Sequence, residues 1–415
     1  MIDLKDSLWY IGLTFFGIVI MLLEARDKIM ATKFFDMARK NKADEFYTQW
    51  VDIEKEIQAY LMFNPNVFKG KTVLCPCDDP YESNFFKYFA LHFNDLRLKK
   101  LIATCYIGSP IANTQLSLFT HEPDDDKPTR ASHKIEITEV VDYNADDVVD
   151  LSDVEWLLAN KKNALTRLKG DGDFRSDEIK ALRNEADFII TNPPFSLFRE
   201  FITWITESQK QFLVISNMNA ITYKEVFTLI KDNRMWMGLG FGRSFQGFIV
   251  PKSYPLSGSE ARIDEQGNRI VSTNNTIWLT NIDHGHRHQP LQLMTMEGNL
   301  KFSKHKKIRD KESYDRYDNY DAIEVPFTDA IPSDCDKVMG VPISFLHKYC
   351  PEQFEIIRFR KGDDDKDLSV GGKCPYFRIL IKNKHCEQLP PRNTQSKIGF
   401  FKNITQEFFE IQYMG

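Results

Sequence analysis

At 415 residues the chain has room for two domains, and its 42% hydrophobic and 27% charged residues are those of an ordinary globular protein. With 54 basic against 59 acidic residues the net charge is −5, so no overall basic field announces nucleic acid and any such contact must be local. Seven scattered cysteines, an odd number, fit a reducing compartment rather than a disulfide framework.

The first candidate element is Leu8 to Leu23, an uncharged run with Trp9, Tyr10, Phe15 and Phe16. It is slightly short for a spanning helix, which needs about 17–25 residues. No small-residue cleavage site follows it. Either it is a membrane anchor, or translation starts at Met30 and residues 1–29 are an apolar extension; the second reading is favoured, because everything after Met30 looks cytosolic.

Lys33 to Lys42 is a basic, helical-looking lead-in. Asp44-Glu45-Phe46-Tyr47-Thr48-Gln49 follows, then Asp52 to Tyr60 with helical spacing of Val51, Ile53, Ile57 and Tyr60. Lys71 to Cys75 predicts a strand, after the turn signal Lys69-Gly70. It runs into an acidic loop, Pro76-Cys77-Asp78-Asp79-Pro80-Tyr81-Glu82-Ser83-Asn84, and a helix from Ser83 or Asn84 through Leu91. Strand, polar loop and helix N-terminus present backbone N–H groups and carboxylates to a ligand. The loop lacks the usual glycines. A second strand is predicted over Lys100 to Tyr106, a polar loop over residues 121–133, and linker plus helix over 146–162. Leu165 to Leu168 leads into Gly170-Asp171-Gly172-Asp173-Phe174-Arg175, which reads equally as a surface turn or a ligand turn.

Asp187-Phe188-Ile189-Ile190-Thr191-Asn192-Pro193-Pro194-Phe195 predicts an apolar strand buried on both faces that stops at two prolines, which neither donate to a ladder nor enter a helix interior. Asn192 is thereby held at a strand's carboxyl end, where open α/β sheets bind ligands. A rigid turn carrying one amide and one aromatic ring suits a planar base with an exocyclic amine. Ser196 is a plausible N-cap for a helix from Leu197 to Trp204. Gln211 to Ser216 is a strand, Glu225 to Lys231 a helix, and Met235 to Phe241 with Gly247 to Val250 read as a closing hairpin. Alternating strand and helix from 71 to 250 predict a doubly wound α/β sheet.

Beyond Pro251 the apolar runs shorten to Thr276–Thr280, Leu291–Met294 and Phe377–Ile381. The basic run from Lys301 to Arg309, with Lys304, Lys306 and Lys307, reads either as a phosphate contact or as a solvated face. His284, His286 and His288 alternate, without a partnering Cys or carboxylate cluster at ligand spacing, and no metal is expected.

With Asn192-Pro193-Pro194-Phe195 at a strand end, the chain resembles S-adenosylmethionine-dependent amino-methyltransferases. The Asp44–Gln49, Cys75–Phe89, Gly170–Arg175, Tyr317–Val325 and Val338–Leu346 stretches are similar to the EcoRI-type adenine-specific DNA methyltransferases, over about residues 40–357. The resemblance implies a Rossmann-like S-adenosylmethionine-dependent methyltransferase sheet with helices on both faces. It implies a catalytic domain over 30–250 and a C-terminal target-recognition region over 251–415. By it, Asn192, Pro193, Pro194 and Phe195 are catalytic. Phe46, Tyr47, Thr48, Cys75, Asp78, Asp79, Asp173 and Phe174 bind S-adenosyl-L-methionine, and which of Asp78, Asp79 and Glu82 faces the methionine moiety stays open. The implied substrate is N6 of an adenine flipped out of double-stranded DNA, in the cytoplasm, within or derived from a restriction–modification system whose endonuclease acts separately. Methylation of cytosine N4 or of a protein glutamine, and an inactive DNA-binding relative, are the competing readings.

Overall fold

Four apolar runs form the parallel centre of the largest sheet in the structure, a computed structural model that describes residues 47–78, 83–105, 132–143, 149–160, 165–193, 197–250, 261–264, 267, 269–271, 275–360, 368–374 and 377–385. In chain order the first unit holds β1 (Tyr47–Thr48), α1 (Trp50–Phe63), β2 (Thr72–Cys75), α2 (Asn84–Leu91), β3 (Lys100–Thr104), β4 (His133–Ile137) and α3 (Leu151–Asn160). It continues with β5 (Leu165–Arg167), α4 (Asp177–Glu185), β6 (Phe188–Thr191), α5 (Phe198–Glu207), β7 (Gln211–Asn217), α6 (Lys224–Lys231) and β8 (Trp236–Phe241). Then come β9 (Phe248–Val250), β10 (Ala261–Ile263), β11 (Arg269–Val271) and β12 (Thr276–Thr280).

The eight-stranded sheet has the order β5-β4-β3-β2-β6-β7-β12-β8. Strands β3, β2, β6 and β7 are mutually parallel, with Val73 opposite both Leu101 and Phe188, and Ile190 opposite Leu213. The outer pairs are antiparallel. Val73, Cys75, Leu101, Ala103, Phe188, Ile190, Leu213 and Ile215 share one face and pack into a single core with Ile53, Ile57 and Tyr60 of α1 and the aromatic α2. Leu74, Ile102, Ile189, Phe212 and Val214 alternate onto the other face and are equally buried, which is why these strands carry no polar alternation. The chain steps from β2 through α2 to β3 in one direction and from β6 through α5 to β7 in the other. Right-handed crossovers put α2 and α5 on opposite faces. The reversal lies between β2 and β6.

The hairpin of Met235–Phe241 with Gly247–Val250 does not form. β8 is the sheet edge beside β12, while β9 joins β1 and β11 in a separate four-stranded sheet, because Gly242 (φ 55°) and Gly247 (φ 97°) redirect the chain between them. β12 completes the large sheet, and the first unit runs to Gln289, with Leu346–Lys348. β4 was passed over, although His133-Lys134-Ile135-Glu136-Ile137 alternates: Ile135 and Ile137 are buried, and Lys134 and Glu136 pair at 3.0 Å. Helix α5 begins at Phe198 after Leu197, whose side chain makes no capping bond; Ser196 lies outside the described residues.

The second unit comprises Pro290–Phe345 and Tyr349–Gly415. It holds α7 (Met296–Phe302) and a sheet β13-β14-β16-β15 of β13 (Ala322–Glu324), β14 (Val338–Pro342), β15 (Phe354–Arg360) and β16 (Arg378–Asn383). The two C-terminal motif stretches carry β13 and β14, which pair in parallel. Buried Glu324 accepts from the Tyr317 hydroxyl and from the Arg378 guanidinium. A Cβ on Gly340 would collide with the Tyr317 hydroxyl, so glycine is required there. Among the described residues no helix is long and apolar enough to cross a membrane. Residues 8–23 lie outside them.

Candidate active site

Ligands of open α/β sheets sit where the strand order reverses, at the strands' carboxyl ends. Here that place lies between the loop leaving β2 and the residues leaving β6. Asp78, three residues past β2, is 5% exposed. Its Oδ1 accepts from Ser83 Oγ at 2.6 Å and its Oδ2 accepts from Thr191 Oγ1, the last residue of β6. Hydrogen bonds to a buried carboxylate contribute about 1.5–3 kcal/mol each. They fasten the β2 loop to the strand that carries Asn192. Thr104 Oγ1 at the end of β3 donates to Pro76 O at 2.9 Å, so three strand ends converge on the same loop.

Ser83 also caps α2, accepting from the N–H groups of Phe85 (3.1 Å) and Phe86 (3.4 Å). Asn84 Nδ2 donates to Thr48 O at 2.7 Å. That bond brings the aromatic-threonine segment to the helix N-terminus, with Thr48 4% exposed. Phe46 lies outside the described residues, as does the Tyr47 side chain. Cys75 is fully buried in the apolar core, and burial, then the Asp78 charge, pushes its thiol well above the ordinary range. It stays protonated and is no nucleophile.

The Gly170–Arg175 turn reaches the carboxyl end of β3. Gly172 has φ 82°, and a Cβ there would collide with Cys105 O, so only glycine allows the approach. Ser132 Oγ donates to Gly170 O at 2.5 Å. Asp173 is held by its own neighbour: Arg175 donates through its main-chain N (2.8 Å), Nε (2.9 Å) and Nη2 (2.6 Å). The Arg175 hydrogen bonds hold the Asp173 carboxyl below its usual range. Asp171 Oδ1 accepts from the Asp173 N–H at 3.0 Å. The Phe174 ring is 4% exposed and stands edge-on to Phe201 and Trp204, at 5.1 and 5.6 Å between centroids.

Asn192 follows β6 with a buried Oδ1, and Pro193 is buried beside it. Pro194, Phe195, Asp79 and Glu82 lie outside the described residues. The structure thus brings Thr48, Asp78 and Asn192 into one bonded chain through Asn84, Ser83 and Thr191, and sets the Asp173 turn at the next strand end. Thr191, Asn84 and Arg175 were missed as site residues. Thr191 had left a signal, as the one hydroxyl closing an apolar strand.

The basic run lies in the second unit, and the structure divides it. Lys301 pairs with Glu297 (2.6 Å), Lys304 with Asp329 (2.7 Å) and Arg309 with Asp310 (3.4 Å). Lys306 and Lys307 are exposed, and no carboxylate of the described residues pairs with either. Of the alternating histidines, His284 shares Nε2 with Met237 O (3.0 Å) and His288 shares Nε2 with Asp283 (2.9 Å). Burial pushes the His284 imidazole down to about 4. Among the described residues no group of His, Cys, Asp or Glu is arranged to hold a metal ion.

The family described as adenine-specific methyltransferase EcoRI matches residues 34–384. The chain belongs to this family. It is 48% identical over 360 residues to the type II methyltransferase M.EcoRI of Escherichia coli, covering 86% of this chain and 98% of that protein. It is 32% identical over 372 residues to the type II methyltransferase M.MpnI of Mycoplasma pneumoniae, covering 85% and 98%. M.MgeORF184P of Mycoplasma genitalium, also a type II methyltransferase, is 30% identical over 368 residues, covering 84% and 98%. No solved structure matches. The enzyme is therefore a site-specific DNA adenine methyltransferase of the restriction–modification kind, as its motifs led one to expect.

Proposed function

We propose that the enzyme transfers a methyl group from S-adenosyl-L-methionine to N6 of an adenine flipped out of duplex DNA. The observation that carries this reading is the bonded chain Thr48–Asn84–Ser83–Asp78–Thr191, which ends at Asn192 beside the point where the strand order reverses. A crevice with an acidic loop, a helix N-terminus and a glycine-dependent turn fits a nucleoside that carries an ammonium and a carboxylate. The bound cofactor supplies an electrophilic methyl group. Asp173 would accept from the amine of its adenine, with Arg175 orienting the carboxylate. Asp78 fixes the loop through Ser83 and Thr191, and the methionine ammonium would fall to one of Asp78, Asp79 and Glu82.

Adenine N6 is a poor nucleophile because its lone pair is delocalised into the ring. Asn192 Oδ1 and Pro193 O would each accept one N6–H, drawing the amine toward tetrahedral geometry; Pro193 brings a carbonyl and no competing donor. Pro194 stiffens the turn, and Phe195 would stack on the base, worth about 1–3 kcal/mol. Positioning and stabilisation of developing charge then carry the reaction. The target atom is out of reach inside a duplex, so the base is extruded. The second unit would read the sequence and hold phosphates. The enzyme would act in the cytoplasm, beside a cognate endonuclease that works separately.

The test is transfer from tritiated S-adenosylmethionine to unmodified duplex DNA, with the labelled nucleoside identified. N6-methyladenine is expected; no label, or label in N4-methylcytosine, overturns the proposal. Asn192→Ala abolishes transfer and leaves cofactor binding intact; retained activity refutes its role.

A further inference from the structure

In the second unit one large apolar side chain stands out in water. Phe302, the last residue of α7, is 76% exposed, and among the large apolar side chains of the described residues only Met62 is more so. A single exposed ring is ordinary on a surface. This one is held out by a rigid mount. Asn299, one turn earlier, is fully buried and donates to Ala330 O at 3.4 Å; Ser303, the next residue, is 3% exposed and bonds back to Asn299 O at 3.0 Å. The chain then turns so that Asp310 N donates to Leu300 O at 2.9 Å, with Ile308 buried beneath it. Lys306 and Lys307 project from this turn, exposed and without a carboxylate partner among the described residues. An anchored turn thus carries one exposed ring and, four and five residues further along the chain, two exposed lysines without a carboxylate partner among the described residues.

We infer that Phe302 is an apolar wedge that enters a base step of duplex DNA, with Lys306 and Lys307 holding the adjoining phosphates. A basic turn is drawn to the polyanion, and an apolar side chain between stacked bases turns a steering contact into one that distorts the duplex. This rests on DNA being the substrate. Lys301, Lys304 and Arg309 each have an acidic neighbour, so the proposal assigns the phosphate contact to the two lysines that lack one.

The test is methylation kinetics on unmodified plasmid DNA with Phe302→Ala and Phe302→Trp, and with Lys306→Gln and Lys307→Gln combined. Phe302→Ala raises the KM for DNA between about fivefold and a hundredfold and leaves the KM for the cofactor and the melting temperature unchanged; Phe302→Trp restores the wild-type value. The lysine pair lowers the slope of log affinity against log salt by about 1.8. An unchanged KM for DNA in Phe302→Ala overturns the wedge, as does a change in oligomeric state without a change in DNA kinetics, which would make the ring a contact between copies. No methylation by the wild type would instead overturn the proposed function.

Discussion

Replacing Thr191 by valine removes one hydroxyl and little else. The residue is fully buried at the end of β6, and its Oγ1 donates to Asp78, itself 5% exposed. Valine fills the same space, so the substitution isolates the bond between the strand that carries Asn192 and the loop that follows β2. A hydrogen bond to a charged, buried group contributes about 1.5–3 kcal/mol, and what remains is a carboxylate with one fewer donor. If the loop and Asn192 must be held together for transfer, that loss falls on kcat/KM as a factor between about ten and a hundred. The assay is steady-state methylation with the cofactor varied at saturating DNA, alongside urea unfolding. Thr191→Ser keeps the hydroxyl and is expected to keep most of the activity. Equal loss in both variants, or no loss in Thr191→Val, would refute the claim that the tie positions the site.

Gly172→Ala places a Cβ against Cys105 O at a φ of 82°. The turn must move, and S-adenosylmethionine binding measured by calorimetry should fall at least tenfold while the circular dichroism stays native; unchanged binding would remove the turn from the site. Arg175→Gln removes the guanidinium hydrogen bonds that do most to hold the Asp173 carboxyl below its usual range and leaves the main-chain one. Its ionised form is then lost at a higher pH, so cofactor affinity should fall off earlier as pH drops from 7 to 4. An acid limb identical to that of the wild type would count against Asp173 as an acceptor. Glu56 is buried and receives the Tyr60 hydroxyl and the N–H groups of Leu239 and Gly240, yet burial outweighs these bonds and raises its carboxyl to about 7. The folded chain binds a proton between the ordinary 4.5 and about 7 that the unfolded chain does not, so this group makes stability fall as pH rises through that window. Glu56→Gln should flatten the dependence by about 1.4 kcal/mol per pH unit, read from unfolding between pH 5 and 7; an unaltered slope would assign it to other groups, Asp52 among them, which is raised to about 6 by burial.

The parallel centre of the sheet was legible because burial on both faces leaves an unmistakable apolar run, as in Phe188-Ile189-Ile190-Thr191. Helix α2 was legible to within a residue because Ser83 caps it. Strand β4 was hidden by its charged alternate residues Lys134 and Glu136, and the ion pair of Glu136 with Lys100 of β3, at 2.6 Å, forms only across the sheet. The fates of β8 and β9 were hidden for a different reason. Two glycines with positive φ decide whether neighbouring strands pair or part, and a glycine in a sequence does not say which. In the proposed site, the candidate acceptors stand in recognisable motifs, but the bonds that fasten them do not show in the sequence. Asn84 bonds to Thr48 and Asp78 to Thr191 across 36 and 113 positions of the chain, distances over which no local pattern carries information.

Those fastenings bear on why such a motif needs its sheet. Asn-Pro-Pro-Phe restricts its own backbone, but a stiff turn on a loose strand end still wanders relative to the bound cofactor. Thr191 removes that freedom one residue before the amide, and the loop it grips is the one that Ser83 makes continuous with α2. Methyl transfer in line tolerates little lateral error, and misplacement of about 1 Å can cost a hundredfold in rate. On the proposed mechanism, the distance from acceptor to methyl group would be set by two buried hydroxyl-to-carboxylate bonds as much as by the motif. A chain that kept Asn192-Pro193-Pro194-Phe195 and lost Asp78 would retain the acceptors without the alignment.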